Sequence, residues 1–215
     1  MREKGILIVV SGFSGSGKGT IMKELLKQYD NYALSISATT RNPRPGEEDG
    51  APREGETDGR EYFFKTREEF EKMIAKEELI EYARYVDNYY GTPRAYVEEQ
   101  LEAGKDVILE IEIQGALKVK EKFPDTLLLF VTPPSAEELK SRLVGRGTET
   151  MDVIEFRMNR AKEEALEMDQ YDYLIINDDL QECVEEMHQI IQGEHRRSFR
   201  NAEFIEHMKE ELKGE

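Results

Sequence analysis

A glycine-rich segment that could hold phosphate follows the apolar run at residues 6–10. Its residues are Gly12, Phe13, Ser14, Gly15, Ser16, Gly17, Lys18, Gly19 and Thr20. Glycines let several backbone N–H groups converge on one anion, and a following helix adds the positive end of its dipole. Lys18 supplies a mobile positive charge for the outer phosphates of a nucleotide. The match to G-x-x-x-x-G-K between a predicted strand and helix favours a nucleotide site over a ligand-free glycine turn.

One position departs from that pattern. The residue after the lysine is usually Ser or Thr, whose hydroxyl contacts Mg²⁺. Here it is Gly19, and Thr20 follows one place later. We therefore predict Thr20 as the protein ligand of the metal.

A second group that could bind an anion lies at the end of the next apolar run. Arg41 and Arg44 follow the hydroxyl residues Ser37, Thr39 and Thr40. Arginine presents a planar fork of donors that suits phosphate or carboxylate. The alternative is that these arginines only pair with surface acids, of which the chain has many.

Residues 43–51 and 52–60 form an internal repeat with a period of nine residues and six identical positions. The unit is rich in Pro, Gly and acidic residues and too short for a solenoid. We interpret it as a duplicated loop, flexible and solvated, and favour a neutral insertion. The alternatives are a loop that becomes ordered when a ligand binds and a loop that mediates contacts.

The pattern along the chain predicts an α/β fold of three layers with a central parallel sheet. Predicted strands are residues 6–10, 34–37, 107–111, 127–131 and 173–176; all but the second are nearly continuous in apolar residues, as in strands covered on both faces. Predicted helices are 18–29, 93–103, 136–144, one long helix with the stripe Ile154, Met158, Ala161, Ala165 and Met168, and one with Leu180, Val184, Met187 and Ile191. Residues 60–92 carry short aromatic strands and predict a small, partly antiparallel insertion. The charged segment after residue 193 is predicted to be helical.

Composition narrows the classes of partner. The net charge of −16 argues against a nucleic-acid polymer, because a phosphate backbone needs a basic face. One cysteine and three histidines argue against a disulfide framework and a Cys or His metal site. We find no apolar segment of membrane-spanning length and no signal peptide, so we expect a cytoplasmic protein without a membrane partner.

These segments resemble the guanylate kinases, which pass a phosphoryl group from ATP to GMP. The motifs that carry the resemblance run from the glycine-rich segment to Asn177. They are Thr39-Thr40-Arg41-x-Pro-Arg, Tyr62-x-Phe64, Glu78-x-x-x-Glu-Tyr-Ala, Asn88-Tyr89-Tyr90-Gly91-Thr92, Glu110-Ile111-Glu112-Ile113-Gln114-Gly115, Pro133-Pro134-Ser135, Arg142-Leu-x-x-Arg146-Gly-Thr-Glu149 and Ile176-Asn177-Asp178.

The resemblance implies a P-loop NTPase fold with a small mixed GMP-binding subdomain and a helical lid. We expect one domain: a core at residues 1–37, 93–135 and 165–193, a GMP-binding subdomain at 38–92, a lid at 136–164 and a helical extension at 194–215. The implied substrates are ATP and GMP with Mg²⁺, and the protein is expected to be a monomer or a homodimer.

The resemblance also implies the site residues. ATP would bind to Gly12–Thr20 of the glycine-rich segment and to Asn177. GMP would bind to Ser37, Arg41, Arg44, Arg53, Tyr62, Glu81, Tyr90, Gly91, Thr92, Glu110 and Glu112. The catalytic positive charges would be Lys18, Arg142, Arg146 and Arg157, of which Arg142 has a structural pairing as its alternative. For Tyr62 and Tyr90 the alternative is a place in the core.

Two further features depart from the family pattern. Glu112 stands where the family usually has Asp. The repeat leaves two candidates for the second arginine at the GMP phosphate, and we favour Arg44 over Arg53 because Arg44 keeps its short link to Arg41. Two rival functions remain at this point: an inactive protein-binding module on the same fold, and a kinase for another small metabolite.

Overall fold

A parallel sheet of five strands lies at the centre of the protein. The computed structural model describes residues 4–43, 56–60, 62–85, 87–145 and 150–213. The strands of this sheet, numbered along the chain, are β1 (Leu7–Gly12), β2 (Tyr32–Leu34), β7 (Asp106–Glu110), β8 (Leu127–Thr132) and β9 (Tyr173–Ile176). Their order is β2-β7-β1-β8-β9, and every neighbouring pair is parallel. The predicted α/β fold with a central parallel sheet is confirmed.

Helices cover both faces of this sheet because successive apolar side chains of its strands point to opposite sides. The helices of this layer structure are α1 (Lys18–Gln28), α3 (Arg94–Glu102), α4 (Ile113–Lys122), α5 (Ala136–Gly145) and α7 (Leu180–Glu194). Val9, Leu109 and Phe130 belong to the core on one face, whereas Ile8 and Val10 belong to the core on the other. The predicted apolar stripe of α7 is confirmed, since it packs into this second core.

The edge strand β9 differs from the prediction that both its faces are covered. Ile175 is fully buried against α7, but Leu174 and Ile176 on the other face are 46% and 55% exposed. An edge strand has a neighbour on one side only. Apolar residues alone could not reveal that β9 occupies this position.

The second predicted strand, residues 34–37, is also wrong in its bounds. The chain leaves the central sheet after Leu34 and forms a new strand, β3 (Ala38–Thr39), in a different sheet. The backbone N–H of Ser35 still donates to the carbonyl of Ile108, 2.8 Å away. Ser37 therefore lies in the link between the two sheets.

The predicted long helix with the stripe Ile154–Met168 is shorter than expected. Helix α6 (Met151–Glu164) ends at Glu164, and a 3₁₀ helix continues over Ala165–Gln170. Ile154 and Ala161 are buried, and Met168 packs against the same core. The apolar stripe is thus correct, but its last turn tightens into the 3₁₀ form, as helix ends often do.

The second sheet has four strands in the order β4-β3-β6-β5. Besides β3 they are β4 (Phe63–Phe64), β5 (Leu79–Tyr85) and β6 (Asn88–Pro93). The β3–β4 pair is parallel, while β3–β6 and β5–β6 are antiparallel, which confirms the predicted partly antiparallel arrangement.

Helix α2 (Arg67–Ala75) connects β4 to β5 in this smaller unit. It begins at a capping box in which the Thr66 hydroxyl accepts from the backbone N–H of Glu69, and the Glu69 carboxylate accepts from that of Thr66. Phe70 on its inner face is fully buried and stacks on Tyr89 of β6. This contact fixes β6, which carries several of the predicted site residues.

The chain ends in helix α8 (Ala202–Leu212), as the sequence predicted for this segment. Phe204 and Leu212 on this helix are 64% and 79% exposed. Across the described residues, we find no helix that combines the length and the apolar character needed to cross a membrane.

Candidate active site

The glycine-rich segment forms the connection between β1 and α1. Gly12, Gly15 and Gly17 have positive φ angles of 151°, 94° and 94°. A Cβ added at Gly17 would lie 2.3 Å from Nδ2 of Asn177, and one at Gly12 would lie 2.1 Å from the carbonyl oxygen of Val131. Glycine is required at both places by conformation and by space.

Two side chains hold this loop in shape. Nζ of Lys18 donates to the carbonyl oxygens of Gly12 at 2.8 Å and Phe13 at 3.1 Å. Nδ2 of Asn177 donates to the carbonyl oxygen of Ser16 at 2.8 Å, and Asn177 is largely buried. Asn177, predicted as an ATP-binding residue, thus lies at the loop and also orders its backbone.

Helices α5 and α6 bring two of the predicted catalytic arginines close to this loop. A guanidinium nitrogen of Arg157 on α6 donates to the hydroxyl of Ser14. Arg142 on α5 donates to the Glu138 carboxylate at 2.7 Å and to the carbonyl oxygen of Asn177 at 2.9 Å. The structural pairing considered for Arg142 is therefore present, whereas Arg157 lies directly at the candidate phosphate loop.

The second predicted anion-binding group is centred on Arg41, which follows β3. Its Nη1 and Nη2 donate to the two oxygens of the Glu56 carboxylate at 2.6 and 2.7 Å. The guanidinium carbon lies 5.0 Å from the ring centroid of Tyr62 and 5.8 Å from that of Phe64. Paired hydrogen bonds with Glu56 raise the pKa of Arg41, so its charge is permanent.

Tyr62 and Tyr90 stand beside Arg41. Their ring centroids are 6.1 Å apart, in an edge-to-face arrangement, and both residues are half-buried. Each ring therefore packs against its neighbours, as a core residue does, but part of it stays accessible, as a binding residue requires.

A buried carboxylate lies on the neighbouring strand. The Thr92 hydroxyl donates to Oε1 of Glu81 at 2.8 Å, and both residues are buried. Burial raises the pKa of the Glu81 carboxyl, while the hydrogen bond from Thr92 opposes this shift. A Cβ at Gly115 would come within 3.4 Å of Oε2 of Glu81, so the glycine leaves room beside this oxygen.

Gly91 has a packing role in the same sheet. A Cβ there would lie 2.9 Å from the carbonyl oxygen of Glu81 and 3.0 Å from the ring of Phe70. A larger residue would push β5 and β6 apart and move Glu81.

Glu112 precedes α4 and contacts helix α6. Nη2 of Arg160 on α6 donates to its carboxylate at 3.3 Å, and Nε of Arg160 donates to Glu164 at 3.4 Å. Burial raises the pKa of Glu164, Arg160 opposes the shift, and the charges of Lys18 and Glu112 also act on it. The end of α6 is therefore close enough to Lys18 and to Glu112 for both charges to act on the Glu164 carboxyl.

A metal site at the phosphate loop would have few protein ligands. Thr20 and Glu110 are exposed at the ends of α1 and β7 near the loop, and a Cβ at Gly19 would meet no atom within 4 Å. Within the described ranges, His, Cys, Asp and Glu side chains form no group of three that could hold a metal. Mg²⁺ commonly keeps several waters and binds substrate phosphates with one or two protein ligands, so this donor set fits it.

Three predicted residues, Arg44, Arg53 and Arg146, lie outside the described residues. Two contacts of the site were not predicted from the sequence. Glu56 beside Arg41 had a signal in the sequence, since both repeat units carry a glutamate at this position, but the sequence alone did not indicate its partner. The contact of Arg160 with Glu112 had no signal in the sequence except that Arg160 lies on the side of α6 away from its apolar stripe.

Comparison with known proteins agrees with this geometry. The family model "Guanylate kinase" matches residues 4–52 and 51–194, two segments that meet where the first repeat unit ends. The guanylate kinase of Lactococcus lactis is 50% identical over 213 residues, covering 99% of this chain and all of that protein. That of Halalkalibacterium halodurans is 55% identical over 194 residues, covering 90% of this chain and 91% of that protein. The crystal structure of guanylate kinase from Anaplasma phagocytophilum superposes with a TM-score of 0.70 at 32% identity, covering 93% of this chain and 90% of that one. The chain therefore belongs to the guanylate kinase family.

Proposed function

We propose that this protein transfers the terminal phosphoryl group of ATP to GMP, giving ADP and GDP. The observation that supports the proposal is that positively charged side chains lie in two separate groups, one around Lys18 at the glycine-rich loop and one around Arg41. The second of these lies in a small sheet that also carries the buried pair Glu81 and Thr92. ATP, the phosphoryl donor, would account for the group around Lys18, and GMP, the acceptor, would account for the group around Arg41.

The ATP phosphates would lie in the loop before α1. The backbone N–H groups of the loop, the N-terminus of α1 and Lys18 all direct positive charge to the same place. On binding ATP, Lys18 would exchange its present carbonyl partners for phosphate oxygens. Asn177 would keep the loop ordered during this exchange.

GMP would be selected by its base and its phosphate separately. Guanine offers the N1–H and 2-amino donors, which suit the carboxylates of Glu81 and Glu112, whereas adenine presents a different pattern. Ser37 and Thr92 would complete the base pocket. Glu110, also proposed to bind GMP, lies at the end of β7, which pairs with β2 in the central sheet. Arg41, with the hydroxyls of Tyr62 and Tyr90, would hold the GMP phosphate.

The transfer step needs alignment and positive charge more than covalent help from the protein. A bond forms between a GMP phosphate oxygen and the terminal phosphorus of ATP, and the bond from that phosphorus to the bridging oxygen of ADP breaks. Lys18 and Arg157 are placed to stabilise charge on the transferred group, with Arg146 as the further proposed lid arginine. Arg142 would support Asn177 and, through it, the loop.

Mg²⁺ is the proposed cofactor, with Thr20 as its candidate protein ligand. When bound with ATP, the metal neutralises part of the phosphate charge. We also propose the division into a core, a GMP-binding subdomain and a lid, together with a cytoplasmic location. The protein is proposed to be a monomer or a homodimer. Light scattering on the purified protein would decide the last.

A coupled assay of ADP release tests the function directly. GMP, AMP, dGMP and CMP would be offered at equal concentration with ATP and Mg²⁺. We expect the highest kcat/KM with GMP. A preference for another acceptor would point to a different metabolite kinase, and no turnover with any of them would point to a binding module.

A further inference from the structure

We propose that Glu56 positions Arg41 for the GMP phosphate, and that the described end of the second repeat unit, residues 56–60, works in the acceptor site. The inference rests on the proposed function, because it assigns Arg41 to the phosphate of GMP. It adds Glu56, which the repeat marks as a shared glutamate but whose partner could not be predicted from the sequence.

The contact between Glu56 and Arg41 is stronger than an ordinary surface ion pair. Both carboxylate oxygens accept hydrogen bonds from the guanidinium, at 2.6 and 2.7 Å. The side chains of Arg41 and Glu56 are only 13% and 18% exposed. Paired, charge-assisted hydrogen bonds shielded from water fix the direction of a guanidinium as well as its position.

Counting the donors of Arg41 shows which edge is left for a ligand. Nη1 uses one hydrogen on Glu56 and one on the carbonyl oxygen of Asn42, 2.9 Å away. Nη2 uses one hydrogen on Glu56. Among the described residues, this leaves the side edge of the fork, formed by Nε and the outer hydrogen of Nη2, for the Tyr90 hydroxyl and a phosphate oxygen. Glu56 thus occupies the end of the guanidinium without blocking its side.

The face of Arg41 is fixed at the same time. Its guanidinium lies over Tyr62, and its backbone N–H donates to the Thr39 hydroxyl at 3.2 Å. With one face on an aromatic ring and one edge on Glu56, the side chain has little freedom left to lose when GMP binds. Removing the carboxylate charge would return that freedom and weaken phosphate binding.

The second repeat unit is also tied to the site by its other residues. Asp58 accepts a hydrogen bond from the backbone N–H of Phe64 at 2.7 Å. The N–H of Gly59 donates to the carbonyl oxygen of Tyr62 at 2.8 Å. Glu56, Asp58 and Gly59 are three of the six positions that the two units share, and here they belong to the second unit.

The repeat supplies a matched control for the experiment. Glu47 and Glu56 occupy the same position of the two units, so Glu47→Gln and Glu56→Gln remove the same charge from equivalent sequence contexts. Initial rates would be measured with varied GMP at saturating ATP, and with varied ATP at saturating GMP. We expect Glu56→Gln to raise the KM for GMP roughly tenfold or more, as the loss of a charge-assisted hydrogen bond predicts. The KM for ATP should stay within about twofold, and Glu47→Gln should match the wild type.

Two further measurements separate positioning from a general structural role. Inhibition by guanosine, which has the base but no phosphate, should be unchanged in Glu56→Gln. In an Arg41→Ala background, Glu56→Gln should have no further effect on the KM for GMP, because the two residues act as one unit. If Glu56→Gln is poorly folded, Glu56→Asp, which keeps the charge but shortens the reach, takes its place.

Several results would overturn the inference. A lower KM for GMP in Glu56→Gln would show that Glu56 competes with the phosphate, and equal effects of the two glutamine variants would show that neither copy is special. Independent effects of the Arg41 and Glu56 variants would also contradict it. Absence of GMP turnover in the wild type would instead refute the proposed function. Calorimetric GMP binding to the same variants would then still decide whether Glu56 acts on the phosphate.

Discussion

Replacing Thr92 by valine is expected to weaken GMP selection without disturbing the fold. The change keeps the branched shape and removes only the hydroxyl. In the structure this hydroxyl is fully buried and donates to Glu81 at 2.8 Å. A hydrogen bond to a charged group is worth about 1.5–3 kcal/mol. At 1.36 kcal/mol per factor of ten, we expect kcat/KM for GMP to fall by roughly 10- to 150-fold.

The pH dependence gives the reasoning its sharper test. Burial raises the pKa of Glu81, and the Thr92 hydrogen bond to its ionised form works against that rise. Guanine needs the ionised carboxylate as an acceptor, so activity with GMP falls as pH drops through this pKa. Without the hydroxyl the pKa rises further, and the acid limb of kcat/KM for GMP should move to higher pH in Thr92→Val.

The assay compares wild type, Thr92→Val and Thr92→Ser at saturating ATP across the acid and neutral range. GMP itself titrates in this range, but its contribution is the same for all three proteins and cancels in their ratio. Thr92→Ser keeps the hydroxyl and serves as the matched control. Coincident acid limbs for the valine and serine variants, or an equal loss in both, would refute the assignment of Glu81 to the guanine base.

Three further predictions concern the phosphate loop, the lid and the repeat. Gly17→Ala should lower the thermal unfolding midpoint by several degrees, because φ at Gly17 is 94°. Gly19→Ala should leave the midpoint unchanged or raise it, because a Cβ at this helical position meets no atom within 4 Å. Calorimetry of both variants without nucleotide measures the two midpoints. Arg157→Ala should lower kcat by about 10²-fold with little change in the KM for GMP, as expected of charge supplied to the transferred group; a change confined to KM would contradict that role. Spacing from Arg41 favoured Arg44 at the GMP phosphate. If the repeat unit that carries Glu56 acts in the acceptor site, the arginine of the same unit, Arg53, is favoured instead. We therefore expect Arg53→Ala to raise the KM for GMP more than Arg44→Ala. Steady-state kinetics of the two variants would restore the first ranking if Arg44→Ala had the larger effect.

The parts of the fold that could be predicted are those set by local pattern. The apolar run before Gly12 and the periodic stripe of α7 each determine one element and its buried side, and both were predicted correctly. The bounds of the strand predicted at residues 34–37 were wrong, because apolar and small residues fit a strand without showing where the chain changes sheets. The exposed face of β9 depends on which strand lies at the edge, and this is a property of the whole sheet.

In the candidate site, too, local features could be predicted from the sequence, whereas the partner of each side chain could not. The phosphate loop and its lysine are local, and its glycines have the positive φ angles that the pattern requires. The pair of Glu81 and Thr92 was predicted as two residues near guanine, but their hydrogen bond depends on the antiparallel pairing of β5 and β6. Sequence spacing alone could not show that Arg160 meets Glu112, since 48 residues separate them.

The proposed role of Arg41 would explain how an acidic chain binds a phosphate at one defined place. The sequence left two alternatives for this residue, an anion clamp or an arginine paired with a nearby acid. The structure contains the pairing, yet it engages only the end of the guanidinium and leaves the side edge for a ligand. With a net charge of −16, an arginine without a fixed partner could turn to many different carboxylates. A partner that is itself held in the site removes those choices, so the paired arginine is the one better prepared for GMP.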